Sequence, residues 1–168
     1  MEYNEFIKTI MTLVLVKNDC HYMHLMSKGK DFDKSHNLTQ DYFESLDYVI
    51  DVVSEMALET GNTMYNYSLA GQIVPDYVPE NLPAYDYPTL IEHLKSRIAT
   101  VVVSLQKLRE SITDTSVQSK LDDIIRNWEV ELNYKLHRRS EPSPVHMGGF
   151  VNTGLDAMTV DNYNKYHI

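Results

Sequence analysis

Four long stretches of helical periodicity constrain this chain more than any other feature of its sequence. In each of them apolar side chains recur every three or four residues, which places them on one face of an α-helix. Strand-like alternation is hardly present, so we expect an all-α fold. The four stretches cover residues 4 to 28, 32 to 60, 88 to 112 and 115 to 139.

Residues that commonly begin or end helices mark the borders of these stretches. Gly29 and Gly61 are predicted to end the first and second helices, because glycine readily adopts the left-handed conformation found after a helix. Pro88 is expected in the first turn of the third helix, where proline is tolerated. The candidate caps of the second and fourth helices are Asp31, Asp33, Asp114 and Thr115.

The connection between the second and third helices, residues 62 to 87, differs from the rest of the chain. It contains three prolines and five tyrosines, and one short helix is expected around residues 65 to 70. The links between helices one and two and between helices three and four are short, so each pair should be antiparallel. Two hairpins joined by a long crossover predict a ferritin-like four-helix bundle, with the tyrosines at a subunit contact.

Length and charge limit the class of protein. A chain of 168 residues suits one domain, expected to span residues 1 to 140, followed by a tail, residues 141 to 168, that is extended or docked on a neighbouring subunit. The net charge of −9 and the lack of a lysine cluster at either terminus argue against DNA binding. The apolar run at residues 10 to 16 is too short to cross a membrane, and a single cysteine fits a reducing cytoplasm.

The second helix carries a polar stripe with the composition of a metal site. Because an α-helix turns ~100° per residue, Asp47, Gln40, Asp51 and Glu55 follow His36 within about 100° of the helix circumference. The stripe contains no lysine or arginine, so carboxylates four residues apart repel each other unless a positive group lies there. Imidazole and carboxylate together suit iron, zinc or manganese. The alternative interpretation is an ordinary solvated face.

The length of this stripe decides how it could bind a metal ion. His36 and Asp51 are 15 residues apart, which is ~22 Å along a helix, whereas a metal–ligand bond is only ~2 Å long. One ion therefore cannot contact both residues of the same chain. Two copies of the helix packed antiparallel about a two-fold axis would bring His36 of one subunit to Asp51 and Glu55 of the other.

Residues 24 to 55 also carry a family resemblance, in both residue type and spacing. The pattern is His24-x4-Gly29-x2-Phe32-x3-His36-x14-Asp51-x3-Glu55. It resembles the pattern of Dps-type mini-ferritins, and residues 82 to 138 are more loosely similar to the last two helices of that family.

This resemblance implies a hollow shell, usually a dodecamer built from two-fold dimers, with a ferroxidase centre at each dimer interface. His24 and His36 of one subunit and Asp51 and Glu55 of its partner would be the catalytic metal ligands. Fe(II) would be oxidised there by peroxide or dioxygen, and ferric iron would be stored in the shell, which protects against peroxide. Further candidate ligands are Gln40 and Asp47, and zinc is a candidate substitute for iron.

Two departures from the family pattern leave alternatives open. Gln40 occupies a position where the family usually has a carboxylate, which is a better metal ligand than an amide oxygen. Leu25 stands where the family often has a tryptophan. The alternatives are a ferritin-like structural or interaction protein with reduced or lost ferroxidase activity, and a zinc-binding protein without redox activity.

Neighbouring residues are weaker candidates. His21 lies one turn before His24 and is either a further ligand or, as we expect, a surface or interface histidine. Cys20 is expected to be a small buried residue rather than a thiolate ligand. Glu92 and His93 are adjacent and therefore do not share a helix face, so they do not form a metal-binding pair.

Overall fold

The computed structural model describes residues 3–140, and four long helices dominate it, one in each of the predicted stretches. Residues 141 to 168, for which a tail was predicted, lie outside the described part. In chain order the elements are α1 (Glu5–Met26), α2 (Phe32–Glu59), a 3₁₀ turn (Tyr67–Leu69), α3 (Ala70–Ile73), α4 (Tyr87–Ser111), α5 (Thr115–Val130), a π-helical segment (Glu131–Leu136) and α6 (His137–Ser140).

Side-chain caps begin three of the four long helices. Asn4, Asp86 and Asp114 each accept a hydrogen bond from a backbone N–H in the first turn that follows, which satisfies a donor that the helix itself leaves free. The prediction is thus confirmed for Asp114. Asp31 precedes α2 without a capping bond, and its carboxylate instead pairs with Lys34 at 3.1 Å.

Two glycines take the chain out of the first two helices. Gly29 and Gly61 have φ angles of +97° and +80°, a left-handed conformation that side chains with a Cβ rarely adopt. Neither position has a neighbouring atom within 4 Å of where a Cβ would lie, so backbone conformation rather than space requires glycine there. Gly29 lies in the corner that turns α1 back along α2.

The core surrounds α1, which is buried on most of its circumference between α2 and α4. The helices α2, α4 and α5 each bury one apolar face and expose the other, as amphipathic helices of a bundle do. Tyr42 of α2 and Trp128 of α5 are both buried, with ring centroids 6.1 Å apart. Among the helices of residues 3–140, none is long and apolar enough to cross a membrane.

The crossover connection is attached to the α1–α2 corner by backbone hydrogen bonds. Tyr85 N–H donates to the Met26 carbonyl at 3.0 Å, and Lys28 N–H donates to the Tyr85 carbonyl at 2.9 Å. The Tyr22 hydroxyl donates to the Leu82 carbonyl at 2.9 Å. Tyr85 is fully buried within its own subunit, so the prediction that the crossover tyrosines pack at a subunit contact is wrong for this residue.

Candidate metal centre

The corner between α1 and α2 brings His24 and His36 into direct contact. His24 lies in the last turn of α1 and His36 in the second turn of α2. Their imidazole rings stack with centroids 3.5 Å apart and an interplanar angle of 27°. The sequence pattern predicts that this corner brings the two imidazoles together, and the structure confirms it. The end of α1, the turn at Gly29 and the start of α2 place the two rings side by side.

Each of these histidines is hydrogen-bonded to the backbone of the other. His24 Nδ1 lies 2.9 Å from the His36 carbonyl oxygen, and His36 Nδ1 lies 3.3 Å from the His24 carbonyl oxygen. A carbonyl oxygen can only accept, so both Nδ1 atoms carry the proton. In a neutral imidazole the other nitrogen, Nε2, then keeps its lone pair, which is the form that binds a metal ion.

Aromatic side chains pack against both imidazoles. Phe32 stacks on His36 with centroids 5.0 Å apart, and Phe43 meets His24 edge to face at 5.4 Å. His21 also contacts Phe43, at 5.0 Å, but it is exposed and its ring centroid is 6.1 Å from that of His24. His21 thus borders the pair without joining the stack.

The carboxylates predicted as ligands lie elsewhere on α2. Asp51 and Glu55 are exposed, and α2 runs unbroken from Phe32 to Glu59, so the ~22 Å axial separation between His36 and Asp51 holds. Gln40 is exposed as well, and its amide nitrogen donates to Glu44 at 2.7 Å. Within residues 3–140 of one subunit, no three histidine, cysteine or acidic side chains group as a metal site.

Asp47 differs from the sequence interpretation. The stripe on α2 has no basic residue of its own, but the ammonium group of Lys17, from α1, forms an ion pair with the Asp47 carboxylate. The positive group that the like-charged stripe requires is therefore supplied in part by the neighbouring helix. A metal ion at Asp47 would therefore have to displace Lys17 from this carboxylate.

A second cluster of polar side chains, which the sequence pattern did not reveal, lies between α1, the crossover and α4. The Arg97 guanidinium bonds Asp19 at 3.0 Å and Glu80 at 2.8 Å, and all three side chains are at most 15% exposed. Glu80 also accepts from the Tyr85 hydroxyl at 2.6 Å and lies 2.7 Å from His93 Nδ1. We name this group of five residues the buried ion cluster.

The carboxylates of the buried ion cluster are perturbed in opposite directions. Burial raises the pKa of Asp19 above its ordinary range, and bonds from Tyr77 and the Glu80 N–H only partly offset this. Burial also acts on Glu80, but its hydrogen bonds from Tyr85, His93 and Arg97 prevail and lower its pKa. No buried side-chain nitrogen or oxygen of the cluster lacks a hydrogen-bond partner, so we interpret the cluster as the attachment of the crossover to α1 and α4.

Cys20 and a cavity between α2 and α5 both lie apart from the candidate centre. Cys20 is fully buried, and burial raises the pKa of its thiol, so it is the inert small residue that was expected. A cavity of about 470 Å³ opens between α2 and α5, beside Tyr42 and Trp128. None of the six predicted metal ligands lines it, so it does not belong to the candidate centre.

Comparison with solved structures identifies the arrangement of the helices. CAIP from Helicobacter cinaedi matches with a TM-score of 0.71 at 20% sequence identity, over 82% of this chain and 98% of that chain. Dps from Staphylococcus aureus matches with a TM-score of 0.70 at 14% identity, over 83% of this chain and 94% of that chain. This chain has the Dps-type mini-ferritin fold.

The Dps-type fold is established by shape rather than by sequence. No protein-family model matches the chain, and no curated protein matches it significantly. At 14% and 20% identity the two solved structures show the Dps-type fold alone. The function of this chain therefore depends on the side chains at the α1–α2 corner and on the α2 stripe.

Proposed function

We propose that this protein oxidises Fe(II) at sites shared between two subunits and stores the ferric product inside a hollow oligomer, thereby protecting against peroxide. His24 and His36 of one subunit and Asp51 and Glu55 of its partner would bind the iron. Iron is the substrate in this proposal, and the oligomer, expected to be a dodecamer built from two-fold dimers, is what completes each site.

One observation carries the proposal, namely the reciprocal hydrogen bonding of His24 and His36. In a pair of solvated surface histidines, nothing would fix the tautomer and the plane of both rings. Here each Nδ1–H is held by a backbone carbonyl, so in each neutral ring Nε2 is the nitrogen that keeps the lone pair a metal ion binds. The pair supplies two of the nitrogen ligands that Fe(II) accepts.

The oxygen ligands would come from the C-terminal part of α2 in the partner subunit. Asp51 and Glu55 are one turn apart, exposed, and in no ion pair within residues 3–140. Two like charges at this spacing repel each other. A divalent cation between them removes that repulsion, and Glu55 has the reach to bridge or bind in a bidentate manner.

The chemistry of the proposed reaction is a pair of one-electron oxidations. Two Fe(II) ions each give one electron to one molecule of hydrogen peroxide, whose O–O bond breaks to give two hydroxide ions. The ligands favour Fe(III) over Fe(II) because the two carboxylates add negative charge to the site. Dioxygen is the alternative oxidant.

Two observations favour a second candidate, a Dps-type structural or interaction protein with reduced or lost ferroxidase activity. Gln40 offers only an amide oxygen where a carboxylate would bind iron more strongly, and its amide nitrogen is engaged by Glu44. Asp47, the next carboxylate on the stripe, is paired with Lys17. Zinc held at the same ligands without redox chemistry is the third candidate.

Addition of Fe(II) to the full-length oligomer under air or with peroxide separates these candidates. We expect ferric absorbance to rise faster than in buffer, and His36→Ala combined with Glu55→Ala to abolish the acceleration. Asn37→Ala combined with Glu59→Ala, two exposed positions on the same helix, is the matched control and should leave the rate unchanged. An intact oligomer with no acceleration over buffer would exclude the ferroxidase proposal, and a monomer in solution would exclude the shared site.

A further inference from the structure

We propose that Thr39 is a positioning residue that holds His24 in its metal-binding tautomer, an inference that rests on the proposed metal site. Thr39 is fully buried in α2, one turn beyond His36. Its hydroxyl oxygen lies 3.0 Å from the His36 carbonyl oxygen and 3.5 Å from His24 Nδ1. The hydroxyl thus contacts both ends of the 2.9 Å hydrogen bond between His24 Nδ1 and the His36 carbonyl oxygen.

The direction of the Thr39 hydroxyl proton follows from its neighbours. Its shortest contact is to the Ser35 carbonyl oxygen, at 2.8 Å, which can only accept. With its proton directed there, Thr39 Oγ1 presents a lone pair toward His24 Nδ1. The Nδ1–H of His24 therefore faces two acceptors, the His36 carbonyl oxygen and Thr39 Oγ1, and an unprotonated Nδ1 would face two lone pairs with no proton between them.

The second reason for assigning this role is that the Thr39 hydroxyl makes contacts that an ordinary buried threonine in a helix does not make. Thr12 of α1 is also buried and donates to the carbonyl four residues earlier, that of Lys8, at 2.8 Å. Thr39 makes the same bond to Ser35 and in addition contacts the His24–His36 pair. The difference between these two threonines is the contact with the imidazole, and Thr12→Val is therefore the matched control for Thr39→Val.

The test measures tautomer and metal affinity separately on the full-length protein. ¹⁵N solid-state NMR of histidine-labelled metal-free protein, assigned with His24→Ala, reports which nitrogen of His24 carries the proton. Titration with Co(II), followed by its absorption spectrum, reports binding. We expect Thr39→Val to add an Nε2–H form of His24 and to weaken Co(II) binding by roughly tenfold, as loss of an outer partner of a histidine ligand does.

Three variants make the outcome decisive. Thr39→Ser keeps the hydroxyl and should restore the tautomer and the affinity, whereas Thr12→Val should change neither. If Thr39→Val keeps the wild-type tautomer and affinity, or if Thr39→Ser fails to rescue, the positioning role is wrong. Wild-type protein that binds neither Co(II) nor Fe(II) would instead overturn the proposed function, and the NMR of the metal-free protein would still decide the role of Thr39.

Discussion

His24 and His36 hold each other through the backbone, each imidazole Nδ1 lying 2.9 or 3.3 Å from the other residue's carbonyl oxygen. The pair is formed entirely within one subunit by the α1–α2 corner. The carboxylates Asp51 and Glu55, by contrast, lie too far along α2 to reach the same ion. In the proposed function one subunit therefore holds two separated half-sites, and this separation can be tested.

Two inactive variants should restore activity when they assemble together. His36→Ala removes the nitrogen half of every site in its own oligomer, and Glu55→Ala removes the carboxylate half. In a mixed two-fold dimer one site combines both defects, but the other combines an intact His36 with an intact Glu55. If half of the dimers are mixed and each has one working site of two, coexpression should give about a quarter of the wild-type Fe(II) oxidation rate.

The control for this experiment is coexpression of two variants of the same half-site. His24→Ala with His36→Ala, carried on different chains, leaves every site without one nitrogen ligand, so no recovery is expected. Recovery in that control, or none in the His36 and Glu55 mixture with mixed oligomers present, would contradict a site shared between subunits.

His21 should matter far less than its neighbour, one turn away. It is exposed and lies outside the stack of His24 and His36. We expect His21→Ala to leave Co(II) affinity nearly unchanged, and His24→Ala to reduce it by more than the roughly 10–100-fold typical of an outer-shell partner. Isothermal titration of both variants makes the comparison, and equal losses would place His21 among the ligands.

Gln40→Glu should strengthen the proposed centre. The substitution preserves the shape of the side chain and adds a negative charge and a second oxygen ligand, so we expect metal affinity to rise by about tenfold or more, equivalent to ~1.4 kcal/mol. Ser45→Asp adds the same charge on the same helix at an exposed position ~180° around from His36, off the stripe, and it serves as the control in the same Co(II) titration. Equal gains in Co(II) affinity in both variants would mean that the added negative charge alone, and not a new ligand, causes the gain.

Arg97 should be essential for stability rather than for iron chemistry. Arg97→Met leaves Asp19 and Glu80 buried without their cation, and breaking a buried ion pair from one side costs about 3–5 kcal/mol in the free energy of unfolding. Arg109→Met, which breaks the more exposed pair with Asp122, should change stability little. Chemical unfolding at one protein concentration measures both, and similar losses in the two variants would argue against the role of the buried ion cluster in attaching the crossover.

Glu80 should make part of the stability depend on pH in the acid range. Its pKa is lowered in the folded state from the ordinary value of 4.5, so its contribution is complete above pH 4.5 and is lost as the pH falls through the lowered value. Wild type should therefore exceed Glu80→Gln in stability at pH 7, and the difference should shrink below pH 4.5. Glu92→Gln, an exposed glutamate on α4, is the control, and a Glu80→Gln difference that stays constant down to pH 3 would refute this linkage.

The helices and their borders could be predicted from local sequence. Periodicity located all four long helices, and Asp114 and the two positive-φ glycines act where turn and cap chemistry places them. These features depend on residues within a few positions of one another, which is why one sequence suffices to find them. The adjacency of His24 and His36 is of the same kind, because a short corner fixes it.

The buried ion cluster could not be predicted in this way. Asp19, Glu80 and Arg97 lie 61 and 17 residues apart along the chain, and nothing in their local patterns distinguishes them from solvated charges. His93 is adjacent to Glu92 in the sequence, but in the structure its Nδ1 lies 2.7 Å from the Glu80 carboxylate. Only the packing of the crossover against α1 and α4 brings these groups together, and their burial then makes them strongly coupled.

The sequence by itself determined the helical class, the crossover architecture and the adjacency of His24 and His36, because periodicity, short corners and helix rise are local properties of the chain. The tertiary structure decided what each polar side chain does with its hydrogen bonds. It pairs Asp47 with Lys17, buries Thr39 against the imidazole of His24, and turns both histidines so that Nδ1 faces a carbonyl oxygen. Those assignments depend on which distant groups meet in a packed interior, where a polar atom must find a partner.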